Sequence, residues 1–242
     1  MEKTIAFDTS NRALSVALFE DERLLFQIES NLTRNHSSQL LPDIDQALKS
    51  VDWQPADLTR VIVSQGPGSY TGLRIGVTTA KTLAFTLGIG LTGISSLALL
   101  ATNVDDPTAL IIPVMDARNQ NLYAGAYRWQ DGHLVQVLPD QHTHVKGLID
   151  QVKALTEQPV VVVGEWQSVQ ADLSLAWSQL RFAQDNLPHA SHSLILAADA
   201  TSLTDMTAIH QFVPNYHRLS QAEADWAQAH PGASNDGYVE KI

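Results

Sequence analysis

Cysteine is absent from all 242 residues, which excludes disulfides, thiolate nucleophiles and cysteine-ligated metal centres. A reducing, cytoplasmic location is the matching expectation. Positive charge is scarce as well. The 15 Lys and Arg face 26 Asp and Glu, so the formal net charge is -11 and the average surface field repels a phosphate backbone. Unaided nucleic-acid binding is not expected. No apolar run reaches the ~20 residues that span a bilayer, and Met1-Glu2-Lys3-Thr4-Ile5-Ala6-Phe7-Asp8 meets an acidic residue too early for a secretion signal. Two phosphate-binding signatures are missing too. G-x-x-x-x-G-K-[ST] needs Lys after its last Gly, and G-x-G-x-x-G needs Gly where Thr71 stands.

What is present is a chain 44% hydrophobic, long enough for one large core or two modest ones. Its most informative stretch is Gln65-Gly66-Pro67-Gly68-Ser69-Tyr70-Thr71-Gly72-Leu73-Arg74-Ile75-Gly76. An apolar strand there passes through a glycine-punctuated turn into a helix, and glycine with free N–H groups at a helix start suits an anion. Ser69 is placed to N-cap that helix, over Tyr70 to Leu87. It is not the centre of G-x-S-x-G, so no nucleophile is assigned to it.

One phrase occurs twice. Ile5-Ala6-Phe7 runs into Asp8-Thr9-Ser10-Asn11, followed by a hairpin of Leu14 to Phe19 and Leu24 to Ile28. About a hundred residues later Ile111 to Met115 runs into Asp116-Ala117-Arg118-Asn119, followed by Leu122 to Trp129 and Leu134 to Leu138, turning at Asp131-Gly132. Each hairpin leads to a helix and a strand, as a parallel crossover requires. In the first half Leu40, Leu41, Ile44, Ala47, Leu48 and Val51 fall at helical spacing before the strand Val61 to Val63. In the second, Val145 to Leu155 precedes Pro159 to Val163, and Leu194 to Ala200 reads as a late helix. Asn, Asp and Pro between Asn103 and Pro107 break both periodicities. The expected units are therefore 1–104 and 105–230, with a loosely held polar tail over 231–242.

These features bring the chain close to a known family. Ile5 to Ser10, His36-Ser37-Ser38-Gln39-Leu40-Leu41-Pro42, Gly66 to Gly76 with Ala80-Lys81, Gly93-Ile94-Ser95-Ser96-Leu97, Asp116-Ala117-Arg118, Gly164-Glu165 and Pro214-Asn215-Tyr216-His217-Arg218 resemble the TsaB (YeaZ) family motifs, in family order. The resemblance implies an α/β, actin-like ATPase (ASKHA, RNase H-like) fold with two duplicated subdomains, their mixed sheets flanked by helices. It implies a non-catalytic subunit required for the threonylcarbamoyladenosine modification of tRNA. The implied partners are a TsaD-like transferase subunit, a TsaE-like ATPase and a second copy of the chain, with tRNA met only through the complex and no membrane. Registered on the glycine turn, the two metal-binding histidines of TsaD-type proteins correspond to Ser96 and Leu100, and Leu100 has no donor atom. No catalytic residue, no metal and no cofactor of its own are implied, with any ATP or ADP at the partner interface.

Family pairing runs through two helices, which nominates His36, Leu40, Leu41, Ile44, Gly72, Leu73, Gly76, Val77 and Ala80 as the interface. Gly72, Gly76 and Ala80 at i, i+4 and i+8 form a smooth ridge that another backbone can approach, inside the fold or across an interface. Asp8, Thr9, Ser10, Gly66, Gly68 and Ser69 are the nucleotide-binding candidates. Asp8 and Thr9 read equally well as caps of the strand-to-hairpin turn, and Ser10 stands where actin-like phosphate loops usually have Gly. His36, beside Ser37 and Ser38, is expected to start a helix. The pairs His142/His144 and His189/His192 have metal-compatible spacing but no evident carboxylate beside them. Two other functions fit the same superfold: a small-molecule kinase or ATPase using Asp8, and a metallopeptidase-like protein.

Overall fold

A computed structural model describes residues 1–31, 36–155 and 159–217. The first half consists of β1 (Lys3–Asp8), β2 (Leu14–Glu20), β3 (Arg23–Ser30), α1 (His36–Ser50), β4 (Arg60–Gly66), α2 (Tyr70–Leu87), β5 (Gly90–Ser95) and α3 (Ser96–Ala101). The second repeats the order with β6 (Leu110–Asp116), β7 (Asn121–Gln130), β8 (His133–His144), α4 (Val145–Leu155), β9 (Val160–Gly164), α5 (Gln170–Ala176) and β10 (Leu180–Phe182). Then come α6 (Ser193–Ala197), β11 (Ser202–Leu203) and α7 (Met206–Gln211).

The strand orders are β3-β2-β1-β4-β5 and β8-β7-β6-β9-β10, so the duplicated phrase is a duplicated sheet. In each sheet the hairpin strands are antiparallel and the last three strands parallel. β1 and β6 lie at the centre and are buried on both faces, which is why they read as unbroken apolar runs rather than alternating ones. Leu40, Ile44 and Leu48 of α1 and Ala80 and Ala84 of α2 close one core on the first sheet. Val145, Leu148 and Val152 of α4 and Leu173 of α5 close another on the second. Between the two sheets α3 acts as a wedge. Leu97, Leu99 and Leu100 are all fully buried, two in the cluster with Ile111 and Val163 and the third in the cluster with Ala6 and Ile62. A helix apolar all round needs burial on every side.

The residues expected to form the second unit, 105–230, do not all stay with the second sheet. β11 pairs antiparallel with β5, and Ile209 of α7 enters the core of the first. The physical reason is β5's outer edge, whose unpaired N–H and C=O groups are covered by this returning segment. The late helix is shorter than expected, α6 ending at Ala197. The tail expected from Pro231 lies outside the described residues. Among the described residues no helix is long and apolar enough to cross a membrane.

His189 clamps the two halves together. Its Nδ1 lies 2.6 Å from Glu29 on β3 and its Nε2 lies 2.8 Å from Asp185, in the loop after β10. Carboxylates thus do stand beside this histidine, contrary to the sequence reading, because the chain brings them from distant positions. Among the described residues, however, no three His, Asp or Glu side chains are grouped to hold a metal. Only the imidazolium donates through both nitrogens. The hydrogen bond to Glu29, and then the charges of Glu29 and Asp185, raise its pKa from 6.5 to about 8 despite partial burial. Neighbouring His192 moves the other way, lowered by burial and by the charge of His189, with Nδ1 3.0 Å from Thr102 Oγ1. Because the folded pKa lies above the unfolded one, this clamp stabilises fully below pH ~6.5 and fades as pH rises through ~8. His189→Gln is expected to cost about 1–2 kcal/mol at pH 6 and almost nothing at pH 9, read by urea denaturation at both pH values. A loss independent of pH would rule the clamp out.

Candidate functional site

The six residues nominated for nucleotide come together, but they close on one another. Asp8, Thr9 and Ser10 are completely buried at the end of β1. The Asp8 carboxylate accepts from Ser10 N–H at 3.0 Å and from Ser10 Oγ at 2.9 Å, and burial raises its pKa against those bonds. Ser69 N–H donates to Ser10 O at 2.6 Å, and a Cβ on Gly68 would stand 2.3 Å from that same oxygen. Gly66, at φ +125, is pressed against the carbonyl of Asn215, whose N–H donates to Gln65 O at 2.6 Å. The glycines of this turn are therefore required by the close approach of the chain's own backbone. Ser69 caps α2 as expected, its Oγ accepting from Gly72 N–H at 3.2 Å.

The equivalent turn of the second half is more open. Asp116 is exposed, and its N–H donates to Glu165 Oε2 at 3.0 Å. Burial pushes the Glu165 carboxyl up, aided by the Asp116 charge and opposed by the Asp116 N–H bond and then by the Arg12 guanidinium of the first turn. Glu165 thus sits within the field of both turns. Arg118, Asn119 and Gln120 follow at φ 67, 53 and 59, three successive left-handed residues of which only Asn adopts that region readily.

The helices α1 and α2 lie side by side and leave a cleft of about 310 Å³, lined by Ser37, Leu40, Leu41, Arg74, Ile75, Thr78 and Thr79. Most of the nominated interface does not face it. Ile44, Leu73, Val77 and Ala80 are buried in the chain's own core, and Leu40 forms only the floor of the cleft. The ridge is likewise internal. A Cβ on Gly72 would stand 2.0 Å from Thr9 O, and one on Gly76 would stand 2.4 Å from Thr9 Oγ1, so the backbone that approaches α2 closely is the turn after β1. His36 is the first residue of α1, with Nε2 2.7 Å from Asn11 O. Of the nominated interface residues, Leu41 alone, 59% exposed, offers a large apolar side chain outward.

The outward face belongs to residues that were not nominated for the interface. Tyr70 is 45% and Phe85 is 55% exposed, and Arg74, Ile75 and Thr78 lie between them along α2. Their signal was available as the face opposite the small-residue ridge. Lys81 on the same helix donates to His210 O at 2.6 Å.

Two sheets of identical strand order, each with a central strand ending in Asp at a turn and with α3 wedged between them, define the actin-like ATPase fold. Residues 27–228 match the model of a family described as TsaD, tRNA N6-adenosine threonylcarbamoyltransferase. The TsaB protein of Bacillus subtilis (strain 168), a tRNA threonylcarbamoyladenosine biosynthesis protein, is 35% identical over 93% of this chain and 98% of its own. That of Escherichia coli (strain K12) is 25% identical over 91% and 96%. The solved structure of YeaZ from Pseudomonas aeruginosa superposes with a TM-score of 0.71 at 25% identity, over 89% of this chain and all of that one. The chain belongs to the TsaB (YeaZ) family.

Proposed function

We propose that this chain is a non-catalytic subunit in tRNA threonylcarbamoyladenosine biosynthesis. It docks a TsaD-like protein in the α1–α2 cleft and holds it in an active conformation. The partner then transfers the threonylcarbamoyl group to the adenosine next to the tRNA anticodon. The observation that carries this reading is the exposed apolar cleft around Leu41, on a fold whose Asp8 carboxylate is fully buried. The names of the relatives supply the pathway. Ser96 and Leu100, at the positions of the TsaD-type histidines, are both fully buried, and Leu100 packs against Gly164. A kinase or ATPase acting through Asp8 would need that carboxylate to reach a ligand, and it is sealed beneath Ser10.

In this reading a partner acts by its differential affinity for two states of the transferase. A TsaE-like ATPase regulates the assembly, ATP or ADP binds at the partner interface rather than on this chain alone, and a second copy competes for the same cleft. Leu41→Asp places a charge in the apolar contact, and Leu41 is exposed enough for the variant to fold. Pairing with the TsaD-like protein of the same organism is expected to fall at least about tenfold by calorimetry. Transfer from threonylcarbamoyl-adenylate to tRNA is expected to fall with it. Full transfer in the complete absence of this chain would overturn the proposal.

A further inference from the structure

Among the described residues Arg74 is the single charged residue lining the α1–α2 cleft, in a chain whose formal net charge is -11. Its guanidinium stands 5.6 Å over the Tyr70 ring, and its Nη1 donates to Tyr70 Oη at 3.1 Å. Tyr70 in turn stacks on Tyr216 with ring centroids 4.8 Å apart, and the neighbouring Asn215 is tied to Gln65 O. The cation is thereby held in place by an aromatic stack rather than by a counter-charge. Among the described residues no carboxylate lies within ion-pair distance of Arg74. The other described cleft residues are aliphatic or hydroxyl-bearing, so they offer Arg74 no opposite charge.

Resting on the docking reading above, we infer that the partner presents an Asp or Glu carboxylate, set between apolar residues of a helix, to Arg74. A planar guanidinium fixed over a ring is preorganised for two-point binding of a carboxylate. Tyr70, Arg74 and Thr78 follow one another at i, i+4 and i+8, and Phe85 extends the face to about 22 Å, the length of a four-turn helix. A groove between two helices receives the side-chain ridge of a third. An RNA strand would need several cations along such a length, whereas the described residues of this cleft offer one. A second copy of the chain would bring another Arg74 and no carboxylate on its own cleft walls. Self-pairing should therefore be weaker than pairing with the transferase subunit.

The test is calorimetric titration of the full chain with the TsaD-like subunit of the same organism, at low and high salt. Arg74→Glu is expected to weaken binding about 30-fold or more, and Arg74→Lys by about fivefold, because charge is kept while the fork geometry is lost. The salt dependence of the wild type should largely vanish in Arg74→Met. If Leu41→Asp abolishes pairing while Arg74→Glu binds like the wild type, the carboxylate inference fails and the docking reading stands. Wild-type pairing by both variants would overturn the docking reading itself. If Arg74→Glu instead removes binding of the isolated chain to tRNA and leaves pairing intact, the cation serves a phosphate and the inference is wrong.

Discussion

Gly72→Ala is expected to destabilise the fold by about 3 kcal/mol or more, the upper range for overpacking a core. The added methyl would stand 2.0 Å from Thr9 O, a backbone atom with little freedom to retreat. Thr9 Oγ1 donates to Gly72 O at 2.7 Å, and the next carbonyl, Ser10 O, accepts from Ser69 N–H. These bonds join the turn after β1 to the start of α2 from both sides. Gly76→Ala meets a softer obstacle, because its Cβ would lie 2.4 Å from Thr9 Oγ1, the end of a side chain. Thr9→Ala should therefore recover part of the Gly76→Ala loss and none of the Gly72→Ala loss, a coupling that a double-mutant cycle in urea resolves. Wild-type urea midpoints for both alanine variants would refute the close packing of α2 on Thr9. A bulky residue at Gly76 is consequently a poor probe of docking, since lost pairing would follow from a damaged fold.

The same glycines mark where sequence reading stopped. The repeated strand, Asp and hairpin were legible because β1 and β6 are continuous apolar runs and Asp131-Gly132 carries the backbone a tight turn needs, with φ 51 and 84. The start of α2 was legible from Ser69, a local cap. The Gly72, Gly76 and Ala80 ridge announced that some backbone comes close, but periodicity cannot tell a partner's backbone from Thr9, which lies 63 residues away from Gly72 in sequence. β10 and β11, of three and two residues, were not legible at all. Such strands exist through pairing with β9 and β5, not through a pattern of their own. The clamp at His189 was hidden for the same reason, Glu29 lying 160 residues away. In the cleft, Leu41 and Arg74 were both visible in the sequence, but that the exposed Arg74 lines the same cleft as Leu41 could be read only from the packing of α1 against α2.

The second large effect is expected at Asp140, which fastens the α3 wedge to the second sheet. Its carboxylate accepts from Tyr127 Oη on β7 at 2.5 Å and from Ser95 Oγ at the end of β5 at 2.5 Å, with Gln136 Nε2 at 3.1 Å. Ser95 Oγ also accepts from Ala98 N–H at 3.0 Å, so one hydroxyl both caps α3 and reaches across to β8. Asp140→Ala would leave the buried Tyr127 hydroxyl and Ser95 Oγ, 3.3 Å apart, with only each other in place of a shared carboxylate, at an expected cost of about 3 kcal/mol. Asp140→Asn keeps the shape and one acceptor oxygen and should cost about 1 kcal/mol. The two proteins should also differ in their response to pH. Burial raises the Asp140 pKa above its ordinary 3.8 against the opposing hydrogen bonds, so the folded state holds this proton more tightly than the unfolded one. The wild type therefore loses stability from this group as pH rises from the ordinary carboxylate value through the raised one. Asp140→Asn has no such proton, and its deficit relative to wild type should narrow as pH rises through that window. Asp8 and Glu165 are raised in the same direction in both proteins and cancel in the difference. Paired urea titrations from pH 4 upward measure it, and a deficit that widened with pH would mean that the carboxylate is stabilised, not strained, where it ties α3 to the second sheet.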